Sequence, residues 1–176
     1  MWTSFIGFMG SGKSTIAGRL RVLSSRPLVA VDDLVSGTAG KAIPAIFADD
    51  GEAAFREAEF RALQGLDPGR NLLVDTGGGI LESPGAADLL RSRGVVIWLD
   101  AAWDNLRSRL EDEPGDRPLV RELGWEGLEA LYRRRRRQYA AAADFRLRSD
   151  GGTVDQLARR AMLRSLLWER REMGQA

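Results

Sequence analysis

The stretch Gly7-Phe8-Met9-Gly10-Ser11-Gly12-Lys13-Ser14-Thr15 combines residue types and spacing suited to holding a polyphosphate. It reads G-x-x-x-x-G-K-S, the Walker A or P-loop pattern. Such glycines let backbone N–H groups close around phosphate oxygens, and the positive end of the following helix adds attraction. Gly10, Ser11, Gly12 and Thr15 belong to that cradle, Lys13 can reach the β- and γ-phosphates, and the Ser14 hydroxyl can ligate Mg²⁺. Only Lys13 and Lys41 are lysines; the other 24 of the 26 basic residues are arginines. A chain that uses arginine almost everywhere has a lysine here, where a compact ammonium on a flexible stem suits phosphate. The motif implies a bound nucleoside triphosphate with Mg²⁺.

Composition narrows the chemistry available for the rest of the reaction. The chain lacks both cysteine and histidine. Disulfides, thiolate metal sites and cysteine nucleophiles are excluded, and a general base must be a carboxylate or, less simply, a Lys or Tyr. The net charge of +1 offers no bulk attraction for nucleic acid or an anionic membrane. No apolar run approaches the roughly 18 residues that span a bilayer, and the start lacks a signal-peptide pattern. The expectation is one cytoplasmic domain over residues 1–176, monomeric, acting on a small molecule.

The elements that must position this chemistry follow in order. Trp2 to Ile6 reads as a strand before the loop, and Ile16, Leu20 and Leu23 recur at helical spacing behind it. Pro27 to Val31 reads as a second buried strand ending at Asp32-Asp33, where α/β folds place their chemistry; either aspartate could instead cap a helix beginning at Leu34. A short helix over Ala42–Phe47 and a longer one over 53–66 follow, the latter with Arg56 and Glu59 spaced to pair. On residue type alone Arg56 is a solvated surface arginine. Asn71 to Asp75 forms a third strand, and Thr76-Gly77-Gly78-Gly79 at its end either gives a ligand close approach or is simply a turn. Asp75 closes that strand where P-loop enzymes often hold a Mg²⁺-directed aspartate.

Ser83-Pro84 predicts a capped helix start, Gly94 to Leu99 a fourth strand, and Trp103, Leu106 and Leu110 mark the next helix. Glu111 to Pro118 is charged, punctuated by Pro and Gly and aperiodic, which predicts a lid at about 110–122 that closes over phosphates. A long helix over Leu128–Ala143 contains Arg133 to Arg137, of which at most two can face a cleft. Asp144 to Arg148 suggests an edge strand. The last helix, 154–171, is expected to bury Leu157, Met162, Leu166 and Leu167. Strands alternating with helices behind a P-loop give an α/β, three-layer α/β/α sandwich around a parallel sheet.

Beyond the P-loop, the runs Gly40 to Phe47, Gly51-Glu52-x-x-Phe55-Arg56-x-x-Glu59, Thr76 to Gly79, Arg117-Pro118-Leu119 and Arg135-x-x-x-Tyr139-x-x-x-Ala143 resemble the shikimate kinase family. The likeness runs in order from about Ile6 to Leu157. It implies a five-stranded parallel sheet of the nucleoside monophosphate kinase type, and ATP-dependent phosphorylation of the 3-hydroxyl of shikimate in the chorismate pathway. It also implies roles for particular residues: Arg56, Arg135 and Gly78 would meet substrate, Phe47 and Phe55 would line its pocket, within a substrate-binding region at about 32–63. Arg117 would reach the phosphates from the lid, and Arg109 would lie near adenine. Arginines suit the substrate's carboxylate, and Asp32 is the candidate to accept the attacking hydroxyl's proton. One departure stands out. The family's Asp-x-Asp at the second strand is Ala30-Val31-Asp32 here, and Asp75 on the neighbouring strand is the candidate replacement at Mg²⁺. A kinase for another polyol acid such as gluconate, or a catalytically weak homologue, are the competing readings.

Overall fold

The computed structural model describes residues 1–112 and 118–174. Five strands, β1 (Trp2–Ile6), β2 (Leu28–Ala30), β3 (Leu72–Asp75), β4 (Gly94–Asp100) and β5 (Phe145–Arg148), form one sheet. Their order is β2-β3-β1-β4-β5, and every pairing is parallel. The five-stranded parallel sheet is thus as expected, with β5 at an edge. Parallel strands need crossovers, and among the described residues eight helices supply them or flank the sheet: α1 (Lys13–Ser24), α2 (Val31–Ala39), α3 (Ile43–Asp49), α4 (Gly51–Gln64), α5 (Ala86–Arg93), α6 (Trp103–Asp112), α7 (Pro118–Ala142) and α8 (Val154–Met173).

Alternation along the strands sorts the core into two layers. Trp2, Ile6, Leu72, Val74, Val96 and Trp98 face a cluster that includes residues of α2 to α7. Phe5, Leu73, Val95, Ile97 and Leu99 face the opposite way, against Ile16, Ala17 and Leu20 of α1 and Leu157, Ala158 and Ala161 of α8. β1 and β4 are buried throughout, as expected of central strands covered by helices on both faces. The chain reverses its direction of winding beside β1, and in such sheets ligands bind beyond the strands' carboxyl ends at that point.

Several sequence expectations need correction. β2 stops at Ala30, and the chain is already helical at Val31, so Asp32 and Asp33 lie in the first turn of α2 rather than beyond a strand. Ala30 occupies the cap position, and neither aspartate caps the helix. Ser83 does not start a helix: its hydroxyl donates to the carbonyl of Arg56, and a 3₁₀ turn over Ile80–Glu82 precedes α5. α7 begins ten residues earlier than the arginine-rich segment suggested, with a break at Gly124, whose φ of 62° is left-handed. On α8, Leu166 and Leu167 point outward, and Ser165 takes the inner position by hydrogen bonding Thr3 of β1. A polar pair between α8 and the sheet displaced the expected apolar stripe by one residue. Arg117 and the centre of the expected lid lie outside the described residues.

Candidate active site

The P-loop joins β1 to α1 as the motif requires. Gly12 takes the cap position at φ 88°, a conformation open to glycine, and passes its carbonyl to the amide of Ile16. The amide ends of α1 therefore face the loop's interior. Lys13 is buried, and its ammonium donates to the carbonyls of Gly7 (2.9 Å) and Phe8 (3.1 Å). Burial lowers its pKa, while the nearby carboxylates of Asp75 and Asp32 pull the other way. The arrangement holds a positive charge at the loop mouth with two acids beside it.

Two cavities open from this region. The larger, about 830 Å³, is lined by the P-loop from Met9 to Thr15, by Ala30, Asp32, Asp33 and Asp75, and further out by Arg109, Ser149 and Gly152. Arg109 donates to the carbonyls of Gly10 and Ser149, which ties α6 to the phosphate loop and to the end of β5. The second, about 490 Å³, is lined by Phe47, Phe55, Arg56, Glu59 and Arg135, with Leu119, Arg121 and Glu122 at the start of α7. Met9, Asp32, Gly77 and Gly78 line both. They form the partition at which a group leaving one cavity would enter the other.

Arginine and aromatic groups shape the second cavity. Arg56 sits with its guanidinium carbon 5.2 Å from the centroid of Phe55 and 6.0 Å from that of Phe47, within reach of both ring faces. It pairs with Glu59 at 2.6 Å and with Glu52 at 2.9 Å. Arg135, almost wholly buried, comes from α7 and meets Glu82. Of the five consecutive arginines, Arg135 is the one that lines either of these two cavities. Arg133 and Arg134 are paired at the surface with Glu129 and Glu82, and Arg136 is paired with Asp100.

The glycine triplet works through close approach of the protein's own groups. A Cβ on Gly77 would lie 2.5 Å from Glu59 Oε1 and 2.7 Å from Asp32 Oδ1. A Cβ on Gly79 would lie 2.5 Å from the guanidinium of Arg56. The triplet thus lets two carboxylates and an arginine gather against a strand end. Tyr139, one turn after Arg135, donates its hydroxyl to the carbonyl of Gly78. Burial raises the pKa of that phenol, so it stays a donor. The sequence pointed to Gly78 but did not show the roles of Gly77, Gly79, Tyr139 or Glu82. The four-residue spacing from Arg135 to Tyr139 was the available signal for a shared helix face.

The acids at the partition are electrostatically unusual. Asp32 has a raised pKa because burial disfavours its charge; Lys13 and Arg56 oppose that effect, while Asp75 and Asp33 add to it. Its Oδ1 is buried and has no hydrogen-bond partner among the described residues. Asp75 is likewise raised by burial, with the Ser14 hydroxyl within hydrogen-bonding reach and Lys13 nearby opposing the shift. Its Oδ1 is also buried and without a partner among the described residues. Glu59, beneath Gly77, is pushed up to about 7 by burial against the opposing pull of Arg56. Buried acceptors left open at a cavity wall are poised for a ligand proton or cation.

The sequence-derived candidates thus divide cleanly. Gly10, Ser11, Gly12, Lys13, Ser14, Thr15, Arg109 and Asp75 surround the first cavity, while Phe47, Phe55, Arg56 and Arg135 surround the second. Asp32 and Gly78 stand between them. A family model described as shikimate kinase matches residues 9–165. A shikimate kinase of Synechococcus sp. (strain RCC307) is 39% identical over 158 residues, 89% of this chain and 80% of that protein. One from Chlorobaculum tepidum is 36% identical over 166 residues, 88% of this chain and 86% of that protein. Among solved structures, shikimate kinase from Acinetobacter baumannii in complex with shikimate superposes with a TM-score of 0.86 at 28% identity, covering 94% of this chain and 92% of that one. A P-loop cavity, an arginine-lined cavity and a shared acidic partition, matched over nearly the whole length, place this chain in the shikimate kinase family.

Proposed function

We propose that the chain transfers the γ-phosphate of ATP to the 3-hydroxyl of shikimate, with Asp32 as the base at the boundary between the two cavities. The observation that carries this reading is the position of Asp32: it lines both cavities, and its Oδ1 is buried and open. A hydroxyl held there can hydrogen bond to the carboxylate and surrender its proton as it attacks the phosphorus in line. The raised pKa of Asp32 makes it a better proton acceptor than an exposed aspartate. Arg56 and Arg135 grip the acceptor's carboxylate at the far end, which fixes which hydroxyl reaches the partition. Phe47 and Phe55 shield the ring, and Lys13 follows the phosphoryl charge. Arg117 and the lid region at about 110–122 belong to the same reading as the phosphate-side cover.

The residues present also fit a Mg²⁺ ion. Mg²⁺ typically binds through one or two carboxylates plus substrate phosphates and water. Asp75 offers an unpartnered buried oxygen beside the Ser14 hydroxyl, within the phosphate cavity. When bound, the ion would neutralise charge developing on the β- and γ-phosphate oxygens. Asp75 and Ser14 are the side chains assigned to hold it.

The test is ADP release from MgATP with shikimate, compared with gluconate, in the parent and in Asp32→Asn. Loss of general-base assistance is expected to lower kcat by roughly 10²–10⁴-fold, with ATP binding retained. The parent rate should also fall at acid pH as Asp32 takes up its proton. A variant that keeps most of the parent kcat would remove Asp32 from the role of base, and faster turnover of gluconate would replace the acceptor.

A further inference from the structure

Glu82 lies outside every motif that carries the reaction, yet its carboxylate organises the arginines of the acceptor cavity. It closes the 3₁₀ turn that follows the glycine triplet. That turn is fixed at both ends: Ile80 is fully buried, and the hydroxyl of Ser83 donates to the carbonyl of Arg56. The backbone carrying Glu82 is therefore tied to α4, while its side chain reaches across to α7. Oε2 accepts from Arg135 at 2.5 Å and lies 3.8 Å from Arg56, and Oε1 accepts from Arg134.

The geometry places this carboxylate behind the arginines. Arg56 and Arg135 line the acceptor cavity, and Glu82 does not. Its contacts with Arg135 and Arg134 therefore come from outside the lining of that cavity. Burial alone would raise the pKa of Glu82, but the hydrogen bond and charge of Arg135, with Arg134 and Arg56 behind them, hold it below the usual carboxylate range. It stays ionised at neutral pH. Charge balance points the same way. Arg56 already has Glu52 and Glu59 on its own helix, whereas the ion pair recorded for the deeply buried Arg135 is with Glu82. A buried guanidinium without a counter-ion is costly and reorients toward water.

We infer that Glu82 is a positioning residue for carboxylate recognition, holding Arg135 and the outer edge of Arg56 as a preformed fork from behind the cavity. The inference rests on the reading that these two arginines grip the acceptor's carboxylate. One carboxylate reaches three guanidiniums, so Glu82 anchors the fork while supplying Arg135 with the countercharge that Glu52 and Glu59 supply to Arg56.

The test measures kcat and KM for shikimate, for shikimate methyl ester and for ATP, in the full chain and in Glu82→Ala, Glu82→Gln and Arg135→Lys. Glu82→Ala is expected to raise the shikimate KM about 10–100-fold, the scale of a lost hydrogen bond to a charged group. Its kcat should stay within about 3-fold, with the ATP KM unchanged. The ester, whose carboxylate is masked, should lose less than about 3-fold in kcat/KM. Glu82→Gln keeps an acceptor without charge and should fall between parent and alanine; it also serves as the readout if the alanine variant does not fold. An unchanged or lowered shikimate KM in both Glu82 variants overturns the inference, as does an equal loss for ester and acid. Arg135→Lys separates the two levels: if it leaves the shikimate KM untouched, the fork itself is wrong and the inference falls with it. If it raises that KM while the Glu82 variants do not, only the role of Glu82 is lost.

Discussion

Ala30 and Asp75 are register partners on the adjacent parallel strands β2 and β3, each the last residue of its strand. A carboxylate absent from one strand end therefore has a counterpart directly beside it, about 5 Å away at the backbone. Both residues line the phosphate cavity, and the Ser14 hydroxyl lies within reach of Asp75. This pairing gives the Ala30 departure from the Asp-x-Asp pattern a physical counterpart. If Asp75 supplies the carboxylate for the metal, Asp75→Ala should weaken binding of Mn²⁺, used as a paramagnetic stand-in, in the presence of ADP. A loss of roughly 10–100-fold is expected, the range seen when metal-site partners are removed. The double variant Ala30→Asp/Asp75→Ala should recover most of it, because the acid returns to a neighbouring position on the same wall. Electron paramagnetic resonance titration measures free Mn²⁺ without requiring turnover. Equal Mn²⁺ affinity in parent and Asp75→Ala would remove Asp75 from the metal site.

Gly79 offers a second test, aimed at the acceptor side. A methyl group there would lie 2.5 Å from the guanidinium of Arg56, the movable end of a long side chain. The fold can absorb Gly79→Ala by displacing Arg56, so the change in stability should stay within about 1 kcal/mol. Displacement pulls Arg56 from Glu59 and from the Phe55 ring, and the shikimate KM should rise about 10-fold or more, with the ATP KM unaltered. Gly78→Ala differs, because its Cβ would meet the backbone N of Met9 at 3.3 Å, inside the P-loop. That variant should raise the ATP KM as well. Steady-state kinetics with each substrate varied in turn distinguishes the two, and identical profiles would mean that the triplet is not divided between the sites.

The parts legible in the sequence were those set by local rules. The P-loop, the strand–helix alternation and the Arg56–Glu59 spacing each follow from patterns within a few residues, and the structure has them in place. Boundaries failed where a long-range polar contact decided the outcome. Ser83 looked like a helix cap, but its hydroxyl serves the carbonyl of Arg56, 27 residues away. Leu166 fitted an apolar stripe, but Ser165 turns inward to Thr3, 162 residues away. Glu82 was illegible for the same reason, since its partners come from α4 and α7 and no spacing in the chain connects them. Periodicity reports which face of a helix is apolar. It does not report which polar group across the fold needs a partner.

Glu59 carries the last prediction, on the pH dependence of stability. Its carboxyl is fully buried beside Arg56 and Asp32, and burial pushes its pKa from an ordinary 4.5 up to about 7. Below about pH 4.5 the folded and unfolded chains both hold the proton, and the raised value costs nothing. As pH rises, the unfolded chain ionises first while the folded site still retains its proton, so stability drains away until the pH passes about 7. The interval corresponds to on the order of 3 kcal/mol. Glu59→Gln removes the titration while keeping a neutral side chain of similar shape. The difference in Tm between variant and parent should therefore move in the variant's favour by roughly 5–10 °C between pH 4.5 and 7.5. Thermal unfolding by circular dichroism across that range provides the measurement. A difference that stays flat with pH would show that Glu59 ionises normally in the folded protein, held charged by Arg56.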